Sequence, residues 1–267
     1  MAPRMRTDSA SCRDAVLAGR ADAVSDADLV GLMMCEARPG IGRAVLEAHP
    51  RPDGLWRVAR GDNPLTVPDI RPGAILQRAN RFDPLTMAYG VLYLATTLQA
   101  CFGETLARFR PSLKLLALVS DEWHELGFMP VGSLAADWRQ RRTAVHVKLP
   151  PDLRFLDVES PTTHQFLRSE LALGLSAIGL NDLDVSAVRG PNRQVTQLIS
   201  EWTYTAANGE QPLYAGIRYE SRIRSGWECW ALFDDEELEI EVVESIPITP
   251  DLPDLVSVAQ LFELQVF

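Results

Sequence analysis

The sequence predicts an α+β protein with a mixed β-sheet and flanking helices. Short apolar runs bounded by turn residues predict strands, and longer stretches with apolar residues at helical spacing predict helices. No internal repeat or low-complexity segment is present. Of 267 residues, 46% are hydrophobic and 23% are charged, which is the composition of an ordinary globular protein long enough to form a full core.

The predicted elements extend over most of the chain. A helix is expected to begin at the N-cap Ser25, and a second is expected to run from the N-cap Thr97 to Phe109. Two further helices are predicted at 162–180 and 193–207. The predicted strands are 55–58, 74–82, 91–95, 113–119, 144–149, 155–158, 217–221, 229–233 and 238–243.

The net charge of −10 is concentrated near the C-terminal end. Eleven acidic residues and no basic ones follow Arg224, so the first 224 residues are close to neutral and compatible with an anionic substrate. The acidic segment 234–267 argues against nucleic acid as a direct partner. The N-terminal residues have no apolar signal region, and no stretch is long enough to span a membrane, so we expect a cytoplasmic protein.

The domain organisation predicted from these patterns has two parts. Residues 1–50 are interpreted as an N-terminal helical extension without chemistry, and residues 51–267 as the functional domain. The four cysteines stand singly, without the paired spacing of a zinc or redox site, so we interpret them as free thiols.

Several residues are candidates for chemistry, each with a plainer alternative. Glu104 falls on or near the apolar face of the helix after Thr97, where a carboxylate needs a partner or a task; the alternative is a surface glutamate. Arg57 and Arg81, each beside an aromatic residue, could bind a diphosphate or form ordinary salt bridges. Tyr93 could stack on a heterocycle or fill the core. Ser221 is not part of a GxSxG motif, so a serine-hydrolase triad is not predicted.

Other functional classes lack their motifs. The histidines do not have the HExxH spacing of a metal site, and neither GxGxxG nor GxxxxGK[ST] occurs, so neither a Rossmann cofactor site nor a P-loop is predicted.

The order of the candidate residues resembles the RES domain family, which is named after arginine, glutamate and serine. The resemblance covers roughly 55–235 and departs at Asp83, where the family usually has asparagine. Its motifs are Trp56-Arg57-Val58, Asn80-Arg81-Phe82-Asp83, Leu92-Tyr93-Leu94-Ala95 followed by Glu104, Arg154-Phe155-Leu156-Asp157, Gly216-Ile217-Arg218-Tyr219-Glu220-Ser221 and Ala231-Leu232-Phe233.

This resemblance implies a fold like that of ADP-ribosyltransferases and an enzyme that degrades NAD as its substrate, by phosphorolysis or hydrolysis. Inorganic phosphate is a possible co-substrate, and no metal is needed. It also implies a toxin whose antitoxin partner has an Xre-like helix-turn-helix domain. The alternatives are an ADP-ribosyltransferase that modifies a macromolecule and a non-catalytic interaction module.

The resemblance also implies roles for individual residues. Arg57 and Arg81 are expected to bind the NAD diphosphate, and Tyr93 to pack near the nicotinamide and its ribose. Glu104 is expected to be the central carboxylate, and Ser221 to line the same pocket.

Overall fold

A computed structural model of the chain describes residues 47–61, 63–67, 80–85, 88–118, 130–209, 211–234 and 238–267. Its centre is an eight-stranded sheet in the order β1-β6-β9-β10-β3-β2-β5-β11. All neighbouring strands in this sheet are antiparallel except β6 and β9, which are parallel. The mixed sheet and the helices beside it confirm the predicted α+β class.

The strands of the main sheet are short. Their bounds are β1 Glu47–Ala48, β2 Leu55–Arg60, β3 Val91–Ala95, β5 Arg142–Lys148, β6 Phe155–Asp157, β9 Gly216–Glu220, β10 Glu228–Phe233 and β11 Glu241–Pro247. Two small two-stranded sheets are formed by β4 Ser133–Leu134 with β12 Gln265–Val266, and by β7 Ala207–Asn208 with β8 Gln211–Pro212.

Eight α-helices occur among the described residues. They are α1 Leu98–Leu106, α2 Leu113–Leu118, α3 Ala136–Gln140, α4 Pro161–Glu170, α5 Ala172–Ala177, α6 Val185–Arg189, α7 Arg193–Thr205 and α8 Pro253–Leu261. The longest, α7, begins after Asn192, whose side chain accepts a hydrogen bond from the Gln194 N–H. None of the described helices is long and apolar enough to cross a membrane.

The alternation of side chains along β9 and β10 gives the sheet two buried faces. Ile217, Tyr219 and Cys229 belong to the larger hydrophobic cluster, which packs against most of the helices. Their neighbours Trp230 and Leu232 belong to a smaller cluster on the other face. The side chains of Tyr219 and Trp230 therefore lie on opposite sides of the sheet.

The structure corrects several sequence-based predictions. The predicted strand at 113–119 is helix α2 over its described residues, and the described end of the predicted strand 74–82 is a turn. The predicted helix 162–180 is divided at Leu171 into α4 and α5, and the last strand begins at Glu241 instead of 238. The helix expected from Ser25 lies outside the described residues.

Part of the predicted extension lies within the sheet, because Glu47–Ala48 pairs with β6. The boundary at residue 50 and the helical character of residues 1–46 stay predictions.

Helix α1 approaches the loop before β10 so closely that only glycine fits at position 103. A Cβ atom added to Gly103 would lie 1.9 Å from the indole ring of Trp227. We therefore expect Gly103→Ala to lower the free energy of unfolding by about 1–3 kcal/mol, the usual cost of overpacking. This loss exceeds the gain of about 1 kcal/mol in helix propensity.

Denaturant unfolding of Gly103→Ala beside Gly174→Ala tests this prediction. Gly174 also lies within a helix, but its added Cβ would meet Leu198 at an ordinary 3.6 Å, so Gly174→Ala should lose no stability. Equal stabilities of the two variants would contradict the close contact at Trp227.

Candidate active site

Arg57 joins β2 to β3 at the point where the two strands pair through a single described residue pair, Trp56 with Ala95. Its Nε donates to the Pro64 carbonyl at 2.7 Å and its Nη1 to the Tyr93 carbonyl at 3.0 Å. The side chain is buried, and burial lowers the pKa of Arg57. Arg57 is therefore a buried positive charge whose guanidinium donates hydrogen bonds to two main-chain carbonyls.

Arg81 lies on the turn before β3 and reaches towards the end of β9. Its Nη2 donates to the Val188 carbonyl at 2.7 Å, and its Nη1 contacts the Glu220 carbonyl at 3.4 Å. The guanidinium carbon is 5.2 Å from the ring centroid of Tyr219, a cation–π distance. The Nε atom is buried and has no hydrogen-bond partner among the residues that the structure describes. One donor of a positively charged group is thus left for a ligand.

Tyr93 is held by the same turn. Its hydroxyl donates to Asp83 Oδ1 at 2.7 Å and accepts from the Phe82 N–H at 3.1 Å. Burial, and then the nearby Asp83 carboxylate, raise the pKa of Tyr93 well above its ordinary value. The hydroxyl is therefore neutral at physiological pH, and its hydrogen is committed to Asp83.

The departure at Asp83 has a structural role. Asp83 is buried, and its second oxygen accepts the N–H of Asn80 at 2.5 Å. Both carboxylate oxygens therefore act as acceptors, whereas an asparagine side chain has only one acceptor oxygen. In this chain the aspartate closes the 80–83 turn and orients Tyr93.

Glu104 lies in the last turn of α1, whose N-cap Thr97 accepts the N–H of Ala100 at 3.2 Å. Glu104 is partly buried, and its Oε1 is fully buried and has no hydrogen-bond partner within the described part of the chain. Burial raises the pKa of Cys101, Tyr219 and Cys229, and the charge of Glu104 raises the pKa of each of them further. A buried carboxylate oxygen without a partner is costly, and in a folded protein it points to a ligand or a reaction.

Tyr219 connects these residues and was not predicted as a site residue. It is buried on β9 and packs 4.8 Å from Phe82, between centroids. Burial, Cys229 and Glu104 raise its pKa well above the ordinary value, and Arg81 opposes this effect. Alternation along a strand places Tyr219 on the same side as Ser221, two residues later, and this spacing was the signal available in the sequence.

Ser221 directly follows β9, whose last residue is Glu220, and is fully buried. Its Oγ accepts the N–H of Ile223 at 3.1 Å, and its own N–H donates to the Trp227 carbonyl at 2.8 Å. Ser221 thus fixes the loop that packs Trp227 against α1, close to Glu104.

Four of the five predicted residues lie around Tyr219, whereas Arg57 lies on β2 opposite Val145, which belongs to the smaller cluster. Arg81, Tyr93 and Glu104 each interact with Tyr219, and Ser221 lies two residues after it, just beyond the end of β9. Arg57 approaches from the β2 side, where its charge and that of Glu104 act on the same Cys101 thiol with opposite effects on its pKa. The cluster around Tyr219 therefore contains one cation, Arg81, two carboxylates, Glu104 and Asp83, and an aromatic floor of Tyr219 and Phe82.

A model of the RES domain family matches residues 54–252. The chain belongs to the RES family. A comparison with curated proteins found no match. Among solved structures, the crystal structure of the M. tuberculosis MbcT–MbcA toxin–antitoxin complex contains a similar chain, with a TM-score of 0.47 and 13% identity over 90% of this chain and 100% of that chain.

The opposite face of the sheet in this RES domain has a cleft of about 450 Å³. At its base, Glu228 lies between Arg218, at 2.7 Å, and Arg51, at 3.0 Å, and also accepts the Thr96 hydroxyl. This charge cluster is internally paired, unlike the cluster around Tyr219. Among the described residues, no group of three or more His, Cys, Asp or Glu side chains could hold a metal ion.

The paired Glu228 predicts acid sensitivity of the RES domain. Burial alone would raise the pKa of Glu228, but hydrogen bonds from Arg51, Arg218 and Thr96 outweigh it and lower the pKa to about 2 from 4.5. Because the folded-state pKa is depressed, the stabilisation is complete above pH 4.5 and is lost as the pH falls towards about 2.

Denaturant unfolding of the parent and Glu228→Gln between pH 7 and 2.5 measures this contribution. We expect the stability difference between the two proteins to shrink below pH 4.5. A difference that is constant over this range would show that the Glu228 carboxylate is not held in its charged form.

Proposed function

We propose that this RES domain cleaves the bond between nicotinamide and ribose in NAD. Among the described residues, three buried side-chain polar atoms lack a hydrogen-bond partner, and the proposal is carried by two of them, Glu104 Oε1 and Arg81 Nε, whose side chains both interact with Tyr219. The carboxylate of Glu104 carries the negative charge that a developing ribose cation requires. The guanidinium of Arg81 carries the positive charge that a diphosphate requires.

The chemistry of the bond matches these charges. When the C–N bond breaks, nicotinamide leaves as a neutral molecule with the bonding electron pair, and the ribose carbon becomes oxocarbenium-like. A carboxylate in the position of Glu104 stabilises this positive charge. An oxygen of water or phosphate then forms the new bond to the ribose carbon, and water loses its proton to solvent.

The arginines bind the substrate in this proposal. Arg81 offers Nε to a diphosphate oxygen, and Arg57 adds positive charge from the β2 side. Fixing the diphosphate and the ribose in one orientation supplies a large part of the acceleration. The buried aromatic floor of Tyr219 and Phe82, with Tyr93 beside it, excludes water from one side of the cluster.

Nicotinamide release from NAD by the purified full-length protein tests the function. We expect release in buffers with and without phosphate. In phosphate buffer, the formation of ADP-ribose with a phosphate on the ribose carbon that has lost nicotinamide would identify phosphorolysis. Labelled NAD that stays attached to a macromolecule would instead favour ADP-ribosyltransfer. NAD binding without release from folded protein would overturn the enzymatic proposal.

We further propose that this RES domain is the toxin of a pair and that an Xre-like helix-turn-helix protein neutralises it. Family membership over residues 54–252 supports this proposal. Expression of the chain alone should lower cellular NAD and arrest growth, whereas co-expression with the product of the adjacent reading frame should restore both. Arrested cells with unchanged NAD would contradict the assigned substrate, and Glu104→Gln is the control.

A further inference from the structure

The turn that carries Arg81 lies outside the sheet and the helices, yet its main chain is fixed at three successive polar groups. The Thr196 hydroxyl donates to the Arg81 carbonyl, and the Arg193 carbonyl of its own helix lies 3.0 Å from the same oxygen as a second acceptor. The Phe82 N–H donates to the Tyr93 hydroxyl at 3.1 Å, and the Ser200 hydroxyl donates to the Phe82 carbonyl at 2.7 Å. Side-chain oxygens thus replace the backbone partners that a strand or helix would provide.

Two of these hydroxyls come from one face of α7. Thr196 and Ser200 are four residues apart and almost fully buried. A buried hydroxyl destabilises a protein unless it forms a hydrogen bond. If Thr196 and Ser200 served only to fill the core, an apolar residue would do so equally well at either position. Thr203, on the same helix and fully buried, shows the contrast, since its hydroxyl contacts only the Ile199 carbonyl of α7.

We propose that Thr196 and Ser200 are positioning residues that fix the 80–83 turn and thereby orient the Arg81 guanidinium towards the diphosphate of NAD. The inference rests on the proposed function and deepens it. Arg81 is anchored at its main chain by α7 and at its guanidinium by the Val188 and Glu220 carbonyls, and only Nε is left without a partner. The Thr196 and Ser200 hydroxyls thereby determine the position of the Arg81 Nε atom.

This role predicts a specific kinetic pattern. The diphosphate contact exists in both the ground state and the transition state, so its loss raises KM and leaves kcat unchanged. For Thr196→Val we expect KM for NAD and Kd for ADP-ribose to rise about three- to tenfold, as for one lost neutral hydrogen bond. Thr196→Ser keeps the hydroxyl and should restore both values.

The control is Thr203→Val, which removes a buried hydroxyl from the same helix without contact to the turn. It should leave KM for NAD and Kd for ADP-ribose at the parental values, whatever it does to Tm. Calorimetric titration with ADP-ribose gives the affinity without turnover. If Thr196→Val does not fold, Ser200→Ala carries the same test at the next carbonyl.

Distinct results would overturn the proposal. Parental KM and Kd in Thr196→Val, with Tm lowered as in Thr203→Val, would show a purely structural hydroxyl. A fall in kcat at constant KM would place its effect on the chemistry and not on binding. A parent protein that binds neither NAD nor ADP-ribose would refute the proposed function itself, and this measurement precedes the variants.

Discussion

Glu104→Gln should release nicotinamide about 10²–10³-fold more slowly than the parent, with nearly unchanged affinity for NAD. The amide has almost the same shape as the carboxylate but lacks its charge. Since the positive charge on the ribose develops only in the transition state, the loss falls on kcat. The expected size is that of one removed electrostatic contact at a reacting centre. Single-turnover rates and NAD titrations of the two proteins measure both quantities.

Glu228→Gln is the matched control for this experiment. Glu228 is also a largely buried glutamate, with 13% of its side chain exposed, but it lies on the opposite face of the sheet among arginines. At pH 7 it should affect stability and leave kcat at the parental value. Parental turnover by Glu104→Gln would refute the assignment of Glu104. A rate that falls only in proportion to unfolded protein would assign Glu104 to the core.

Arg81→Ala is expected to weaken NAD binding by about ten- to a hundredfold. It removes a charge-assisted hydrogen bond, worth roughly 1.5–3 kcal/mol, and that bond is present before and during the reaction. Arg81→Lys should recover part of the affinity, because a flexible ammonium cannot hold the Val188 and Glu220 carbonyls and a phosphate oxygen in one planar arrangement. Competition of NAD binding by ADP-ribose and by nicotinamide shows which part of NAD is bound less tightly by the variant.

Weakened ADP-ribose binding with unchanged nicotinamide binding would place Arg81 at the diphosphate. Equal weakening of both ligands would indicate that the variant has disturbed the whole cluster. Thermal melting of each variant separates affinity from stability, because the Arg81 guanidinium also holds two main-chain carbonyls.

The strands of the site could be predicted from the sequence because their signals are local. The apolar run Val91–Ala95 and the helix after Thr97 form as predicted. In contrast, the residues 113–118 have an apolar pattern too short to distinguish a strand from a helix. Leucine, lysine and alanine favour the helix, and Ser112 accepts the Leu115 N–H at 3.1 Å at its start.

The importance of Tyr219 and Asp83 could not be predicted in the same way. Tyr219 becomes central only because β10 lies between β9 and β3 and brings distant segments together. From its motif alone, Asp83 is only a departure from the asparagine of the family, and the contacts with Tyr93 and Asn80 reveal its role. Such roles depend on tertiary pairing, which local patterns do not contain.

The strand order also determines when the cluster can exist during synthesis on the ribosome. Arg81, Tyr93 and Glu104 are made early, but Tyr219 reaches them through β10, which ends at Phe233. Such pairing between remote segments forms slowly and only after the later strand has emerged. We therefore expect a nascent chain to lack the cluster around Tyr219 until Phe233 has been translated and has left the ribosome.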